Sequence, residues 1–221
     1  RMIKKKIRFG VIGCSSVAEK KNIPAILESK YSEVRRIGSR NQEKAKKFAK
    51  KFSCKNYGNY EEVLKDKSVD AVYISLPIAL QEKWIKEAAK HGKHVLCEKS
   101  ISTSLKSVKR ILEQCKRYKV RVMEGFSYRF HDQHENVMRQ IQLNKIGTPR
   151  IFTSEFFLPI SYNKKNFIFN KKLGGGSLND VGCYLISASR IILQESPKKI
   201  FCMLEENKNE IDIIGTIVVI F

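Results

Sequence analysis

Short apolar runs alternate with amphipathic stretches through the first half of the chain. Ile7-Arg-Phe-Gly-Val-Ile-Gly13 is apolar enough for a buried strand and closes on glycine, so Cys14-Ser15-Ser16 reads as a turn. Residues 17–28 follow at helical period and are interrupted at Pro24, which cannot donate to the preceding turn. A second strand covers 34–37 and stops at Gly38-Ser39-Arg40, after which Asn41 caps a helix reaching Phe52. An extended piece at 55–57 leads to a helix at 60–65, and a strongly apolar strand at 69–76 is stopped by Pro77. A helix over 79–91 closes on Gly92 and is followed by a strand at 94–97, a helix at 105–118 and a strand at 120–124. Strands alternating with helices predict an α/β domain with a parallel, doubly wound sheet over residues 1–125.

The rhythm then changes. A helix at 131–143 precedes a strand at 150–158 and a polar loop holding Asn163, Lys164, Lys165 and Asn166. Leu173-Gly-Gly-Gly-Ser177 opens a helix from 178 to 193, and strands at 199–205 and 211–221 close the chain. This predicts an α+β domain over 126–221 with a largely antiparallel, open sheet. The last strand is apolar on both faces to Phe221, as a central strand is, so the sheet looks truncated. The coded protein is therefore expected to be longer, or another chain to cover this edge, because open edges invite pairing. Arg1 ahead of Met2 reads as an expression remnant.

Composition narrows the function classes. Lysine and arginine number 43 against 22 acids, a net charge of +21, which raises nucleic acid or anionic ligands as partners. The basic residues are spread along polar helix faces (Lys20-Lys21, Lys46-Lys47, Lys50-Lys51, Lys171-Lys172), so they describe a solvated surface that attracts anionic small molecules. No nucleic acid and no membrane partner is expected. Six cysteines without a Cys-x-x-Cys pair read as reduced thiols in a cytoplasmic protein. His131 and His134, with Glu135, have a spacing that could ligate a metal, but no further ligand stands nearby and no metal is expected. His91, His94 and Trp84 read as structural.

Four stretches carry chemistry. Gly10-x-x-Gly13 with Ser15, Ser16 and Val17 joins a strand to a helix, the context of a dinucleotide-binding turn in which backbone amides face a pyrophosphate. Ser15 stands where such turns carry a second glycine, which leaves the backbone approach less free. At the end of the second strand, Ser39 and Arg40 replace the acid that would hold the ribose hydroxyls of NAD, and suit the 2′-phosphate of NADP. Lys99 sits just past the strand at 94–97, aimed into the crevice where open α/β sheets bind ligands. In the second half, Asp180 and Tyr184 are spaced to share a helix face, so a carboxylate and a phenol can orient a substrate and move a proton.

The turn around Gly13, Ser39-Arg40, Ser75-Leu76-Pro77 and Gly92-Lys-His-Val-Leu-Cys-Glu98-Lys99 together resemble the Gfo/Idh/MocA oxidoreductases. Met123-Glu-Gly-Phe-Ser-Tyr-Arg-Phe-His131 and Gly174-Gly-Gly-Ser-Leu-Asn-Asp-Val-Gly-Cys-Tyr184 extend the resemblance over nearly the whole chain. It implies a Rossmann domain followed by a substrate and oligomerisation domain. It also implies hydride transfer between NADP (preferred) or NAD and a secondary alcohol or ketone of a sugar, nucleotide-sugar or related polyol. Lys99 would be the catalytic lysine, Asp180 would orient the substrate, and Tyr184 takes a place that is histidine in many members and tyrosine in the dihydrodiol and sugar-ketoreductase branches. Gly13, Ser15, Ser16, Val17, Ser39, Arg40, Ser75, Leu76, Pro77, Gln81, Glu98 and Lys99 would hold the cofactor, and Phe126, Tyr128, Arg129 and Asn179 would meet the substrate. The resemblance also implies a homo-oligomer through the last sheet. Four residues depart from the family's pattern: Ser100 stands for proline, Ile78 for a polar residue, Gln81 for histidine and Ile168 for arginine. These departures keep open a dinucleotide binder without turnover, beside a dihydrodiol-type dehydrogenase.

Overall fold

The computed structural model describes residues 6–163 and 166–221. Residues 1–5 and the loop lysines Lys164 and Lys165, with the expectations placed on them, lie outside. The chain divides into two compact units, residues 1–125 and 126–221.

Six parallel strands run through the first unit: β1 (Ile7–Ile12), β2 (Ser32–Gly38), β3 (Asn56–Gly58), β4 (Ala71–Ile74), β5 (His94–Cys97) and β6 (Val122–Glu124). Their order is β3-β2-β1-β4-β5-β6, the doubly wound arrangement in which the chain reverses direction between β1 and β4. Between them lie α1 (Ile23–Glu28), α2 (Gln42–Lys51), α3 (Tyr60–Lys65), α4 (Ile78–Lys90) and α5 (Leu105–Arg117).

Alternation along the strands builds two cores. Ile12, Val72 and Ile74 pack with Val63 and Leu64 of α3, Ile85 of α4 and Ile111 of α5. Val11 and Tyr73 point the other way, onto Ile23 and Ile26 of α1 and Phe48 of α2. Trp84 packs partly buried against the first cluster and meets Tyr60 edge-on at 4.8 Å, the structural role expected of it.

Local chemistry explains the element ends. Asn41 Oδ1 accepts from Lys44 N at 3.0 Å to begin α2, and Asn59 with Glu62 forms a reciprocal capping box on α3. Pro24 does not break its helix. The preceding turn, Ala18–Asn22, widens to π geometry, Ile23 N donating to Ala18 O, and Pro24 enters the first turn of α1, where its missing N–H leaves little unsatisfied. Lys93 is buried, its Nζ donating to Asp66 O and Val69 O at 2.7 Å each, and burial lowers its pKa.

The second unit holds α6 (Asp132–Gln142), α7 (Cys183–Leu193) and the antiparallel pair β7 (Lys199–Glu206) and β8 (Asp212–Ile220). The strand expected at 150–158 is not formed: the segment has no regular secondary structure and joins no ladder. The two strands of this unit pair only with each other among the described residues, and a lone segment has no partner for its backbone groups.

One ion pair joins α4 to α5. Glu82 accepts from Arg110 Nε at 2.6 Å, from Arg110 Nη2 at 2.7 Å and from Ser107 Oγ at 2.6 Å. The Arg110 guanidinium holds the Glu82 carboxyl at about 2. A carboxyl depressed in the folded state stabilises above its unfolded pKa of about 4.3 and stops doing so as pH falls through the folded value. Arg110's side chain is 44% exposed, so screening limits the contribution to about 1 kcal/mol. Glu82→Gln is expected to lose that amount at neutral pH in urea unfolding, with the gap closing as pH falls from about 4.5 toward 2.

Candidate active site

The carboxyl edge of the parallel sheet is stitched beyond the strands themselves. Gly13 N donates to Gly38 O, Ser75 N to Ile12 O, Glu98 N to Ile74 O and Gly125 N to Cys97 O, at 2.7–3.0 Å. The turn after β1 thus lies against the end of β4. Gly13 has φ +102°, and a Cβ on it would stand 2.4 Å from Ser75 O, so this turn admits only glycine.

Ser15 does not obstruct that turn. Its hydroxyl bonds to the Ser75 hydroxyl and accepts from Ala18 N at 3.1 Å, so it is turned down as a helix cap. Ser16 and Val17 stay exposed above it. The reduced access expected of a serine here is answered by that rotation. Cys14 lies beneath, buried, its thiol pushed up to about 11 by burial and therefore unreactive.

After β2, Ser39 is buried and its Oγ accepts from Asn41 N at 3.2 Å. Arg40 is exposed. Burial raises the pKa of the Tyr60 phenol, and the nearby Arg40 charge pulls it back. A buried serine and an exposed guanidinium form an anion-accepting corner.

At the end of β5, Lys99 is half-buried, Ser100 is buried, and the peptide between them is cis. Ile101 N donates to Glu124 Oε1 at 2.7 Å, which anchors the backbone just past the lysine. Leu76 and Pro77 join β4 to α4. Gln81 is fully buried, with Nε2 donating to Leu76 O at 3.3 Å, so its amide braces that turn. Its Oε1 has no partner among the described residues.

In the second unit, a π turn (Leu178–Gly182) carries Asn179 and Asp180 and continues into α7 with Tyr184. Rings gather round Tyr184: Phe126 at 5.5 Å, Tyr128 at 5.8 Å and Phe156 at 5.9 Å. The Tyr128 hydroxyl donates to Ser187 Oγ at 2.8 Å. A cleft of about 620 Å³ is lined by Tyr128, Phe130, His131, His134, Phe156 and Tyr184, among others. It is open to solvent, and its lining is apolar and aromatic with a few polar tips. His134 meets Tyr128 edge-on at 5.1 Å, and His131 Nδ1 accepts from Gln133 N at 3.2 Å to cap α6. Among the described residues no three His, Cys, Asp or Glu gather as a metal site. Arg129 is exposed and is not among the residues lining the cleft, and Asn179 Nδ2 donates to Gly174 O and Gly175 O at 3.3 Å.

Residues 7–126 match the model of an oxidoreductase family with an NAD-binding Rossmann fold, and residues 134–221 match the GFO/IDH/MocA C-terminal domain. The chain belongs to the Gfo/Idh/MocA oxidoreductase family. It is 34% identical over 202 residues to an NADP(+) D-xylose 1-dehydrogenase of Haloferax volcanii, covering 91% of this chain and 61% of that one. It is 32% identical to the dTDP-3,4-didehydro-2,6-dideoxy-α-D-glucose 3-reductase of Actinomadura kijaniata, covering 95% and 63%. The solved structure of the 3-ketoreductase KijD10 of the same organism, with NADP and TDP-benzene, superposes with a TM-score of 0.90 at 31% identity, covering 97% of this chain and 66% of that one. The chain thus spans about three fifths of the length of the curated relatives it matches.

Each departure from the Gfo/Idh/MocA pattern has a local place. Ser100 and Ile78 are both buried, and Gln81 braces the Leu76 carbonyl. Ile168 accepts through its carbonyl from Gly176 N at 3.0 Å, and a Cβ on Gly175 would stand 2.2 Å from that oxygen. The triple glycine is thus spent on fitting the chain against its own neighbours.

Asp212 is the residue that sequence reasoning missed. Its Oδ2 accepts from Leu178 N at 2.6 Å and from Ser177 Oγ at 2.9 Å, capping the helix of Asp180 and Tyr184 from a distant strand. A Cβ on Gly176 would stand 1.9 Å from Asp212 Oδ1, which explains the third glycine. The Leu178 amide at this helix entry therefore faces the carboxylate. The only signal was a lone acid in an otherwise apolar strand. Asp212→Asn keeps the shape and removes the charge, so thermal unfolding should show a loss of about 1–2 kcal/mol, and an unchanged midpoint would remove the cap from this account.

Proposed function

We propose that this chain carries out hydride transfer between NADP(H) and a secondary alcohol or ketone of a sugar or nucleotide-linked sugar. The observation that carries the reading is the alignment at one sheet edge of the Gly13 turn, the Ser39-Arg40 corner and Lys99. The cradle fits a dinucleotide: Gly13 leaves no Cβ in the way, and Ser16 and Val17 open a helix at the turn. Similarity to an NADP(+) sugar dehydrogenase and to a 3-ketoreductase solved with NADP supports the same cofactor and substrate class.

Gly13, Ser15, Ser16 and Val17 would hold the pyrophosphate, and Ser39 and Arg40 the 2′-phosphate. Ser75, Leu76, Pro77, Gln81 and Glu98 would shape the wall of the cofactor site. When bound, the nicotinamide supplies or accepts the hydride. Lys99 donates a hydrogen bond to the oxygen of the reacting carbon and stabilises the charge that develops there. Tyr184 gives that oxygen its proton in reduction, and Asp180 orients the substrate. Phe126, Tyr128, Arg129 and Asn179 complete the substrate contacts in this reading.

A homo-oligomer through the β7–β8 sheet and a cytoplasmic location belong to the same proposal. Ile200, Phe201, Met203 and Ile214 are all more than half exposed on that hairpin, and the six cysteines are free. No helix of the described residues is long and apolar enough to cross a membrane. The aromatic cleft favours a second reading, a dihydrodiol-type dehydrogenase acting on a ring alcohol.

The test is oxidation of NADPH against a panel of ketoses and nucleotide-linked keto-sugars, run beside reduction of NADP by a cyclic trans-diol. Turnover of a keto-sugar supports the first reading, and turnover of the diol alone supports the second. Arg40→Ala should weaken NADPH binding by about 1.5–3 kcal/mol and leave NADH nearly unchanged, as befits a lost charge-assisted bond. Equal losses for both cofactors would remove Arg40 from phosphate recognition. Lys99→Ala should lower kcat by about 10²–10⁴ with the NADPH dissociation constant little moved. Unchanged kcat on an accepted substrate would sink the assignment of Lys99.

A further inference from the structure

Two side chains from two elements meet on one carboxylate oxygen, Glu98 Oε1. Asn22, the last residue of the π turn after the glycine turn, donates through Nδ2 to Glu98 Oε1 at 3.0 Å. Tyr73, on β4, donates its hydroxyl to the same oxygen at 2.7 Å. Asn22 Nδ2 also donates to the Tyr73 hydroxyl at 2.9 Å, which closes the triangle. Tyr73 is 1% exposed, and its ring belongs to the core that holds Ala18 and Ile23. A buried phenol here needs a partner, and its burial beside the Glu98 charge raises its pKa, so it remains a donor.

The arrangement exceeds what holding the sheet together requires. The backbone of Glu98 is already fixed, its N–H donating to Ile74 O at 2.9 Å. Hydrogen bonds to charged acceptors are the strong ones, and two of them here secure the residue directly before Lys99. Glu124 secures Ile101, two residues beyond it. The lysine thus projects from a segment pinned on both sides. The triangle also ties that segment to the helix that begins at the glycine turn, through Asn22.

We propose that Asn22 and Tyr73 are positioning residues for Lys99, fixing the Glu98 carboxylate and with it the direction of the lysine relative to the turn at Gly13. The inference rests on the reading of Lys99 as the group that acts on the substrate oxygen. A small misplacement of a reacting group weakens the transition state far more than it weakens cofactor binding, so the effect belongs in kcat.

Two variants of the full chain test this. Tyr73→Phe deletes one hydroxyl from the core and should lower kcat about tenfold on an accepted keto-sugar, with the NADPH dissociation constant, read by its fluorescence, within about twofold of wild type. Asn22→Asp is isosteric but sets a second carboxylate against Glu98, and should lower the unfolding midpoint by several degrees. Adding Glu98→Gln restores a donor facing an acceptor with the polarity reversed, and should recover most of that midpoint. A packing role alone would show no difference between Asn and Asp and no recovery in the double variant. Wild-type kcat in Tyr73→Phe, or a double variant no more stable than Asn22→Asp, overturns the inference. A wild-type protein that oxidises NADPH with none of the keto-sugars overturns the reading beneath it instead.

Discussion

The close approach of Gly13 to the carbonyl of Ser75 is the constraint on which the carboxyl edge of the first unit's sheet depends. With no room for a side chain, the turn after β1 settles onto the end of β4 at the point where strand order reverses. Ser15 can then reach the Ser75 hydroxyl and fold under as a cap, which leaves the next residues exposed above the helix start. The same contact sets the height of β4 against β1. It thereby sets the level at which Tyr73 reaches up to Glu98.

The second unit achieves a comparable result by a different route. There the helix of Asp180 and Tyr184 starts on a π turn with no capping side chain of its own, and Asp212 supplies the missing acceptor from β8. The aromatic cleft owes its shape to that helix, since Tyr184 is the ring that Phe126, Tyr128 and Phe156 all meet. The two units therefore rest on opposite devices, a missing side chain in one and a borrowed carboxylate in the other.

Much of this was legible in the residues. The strand at 94–97 and the helix at 60–65 fall where periodicity and turn residues put them, because each is a short pattern bounded by local punctuation. Gly13, Arg40 and Lys99 could be singled out because they stand at strand ends, where side chains leave the sheet. The segment 150–158 looked like a strand by composition, but a strand exists only with a partner, and partners are not written locally. Asp212 and the triangle of Asn22, Tyr73 and Glu98 were hidden for a related reason. Their members lie 25 to 76 residues apart, and their bonds exist only after the chain has closed on itself.

The cap from Asp212 also bears on the order in which the second unit assembles. Leu178 and Asp212 are 34 residues apart, so the first turn of the helix stays unsatisfied until the hairpin lies beside it. A helix as short as α7 is marginal alone in water. Helix and hairpin are thus a single cooperative piece, and a fluctuation that frays β8 loosens the helix carrying Tyr184 in the same event. Any partner that clasps the hairpin acts on the distant phenol as well, because the cap on that helix comes from β8.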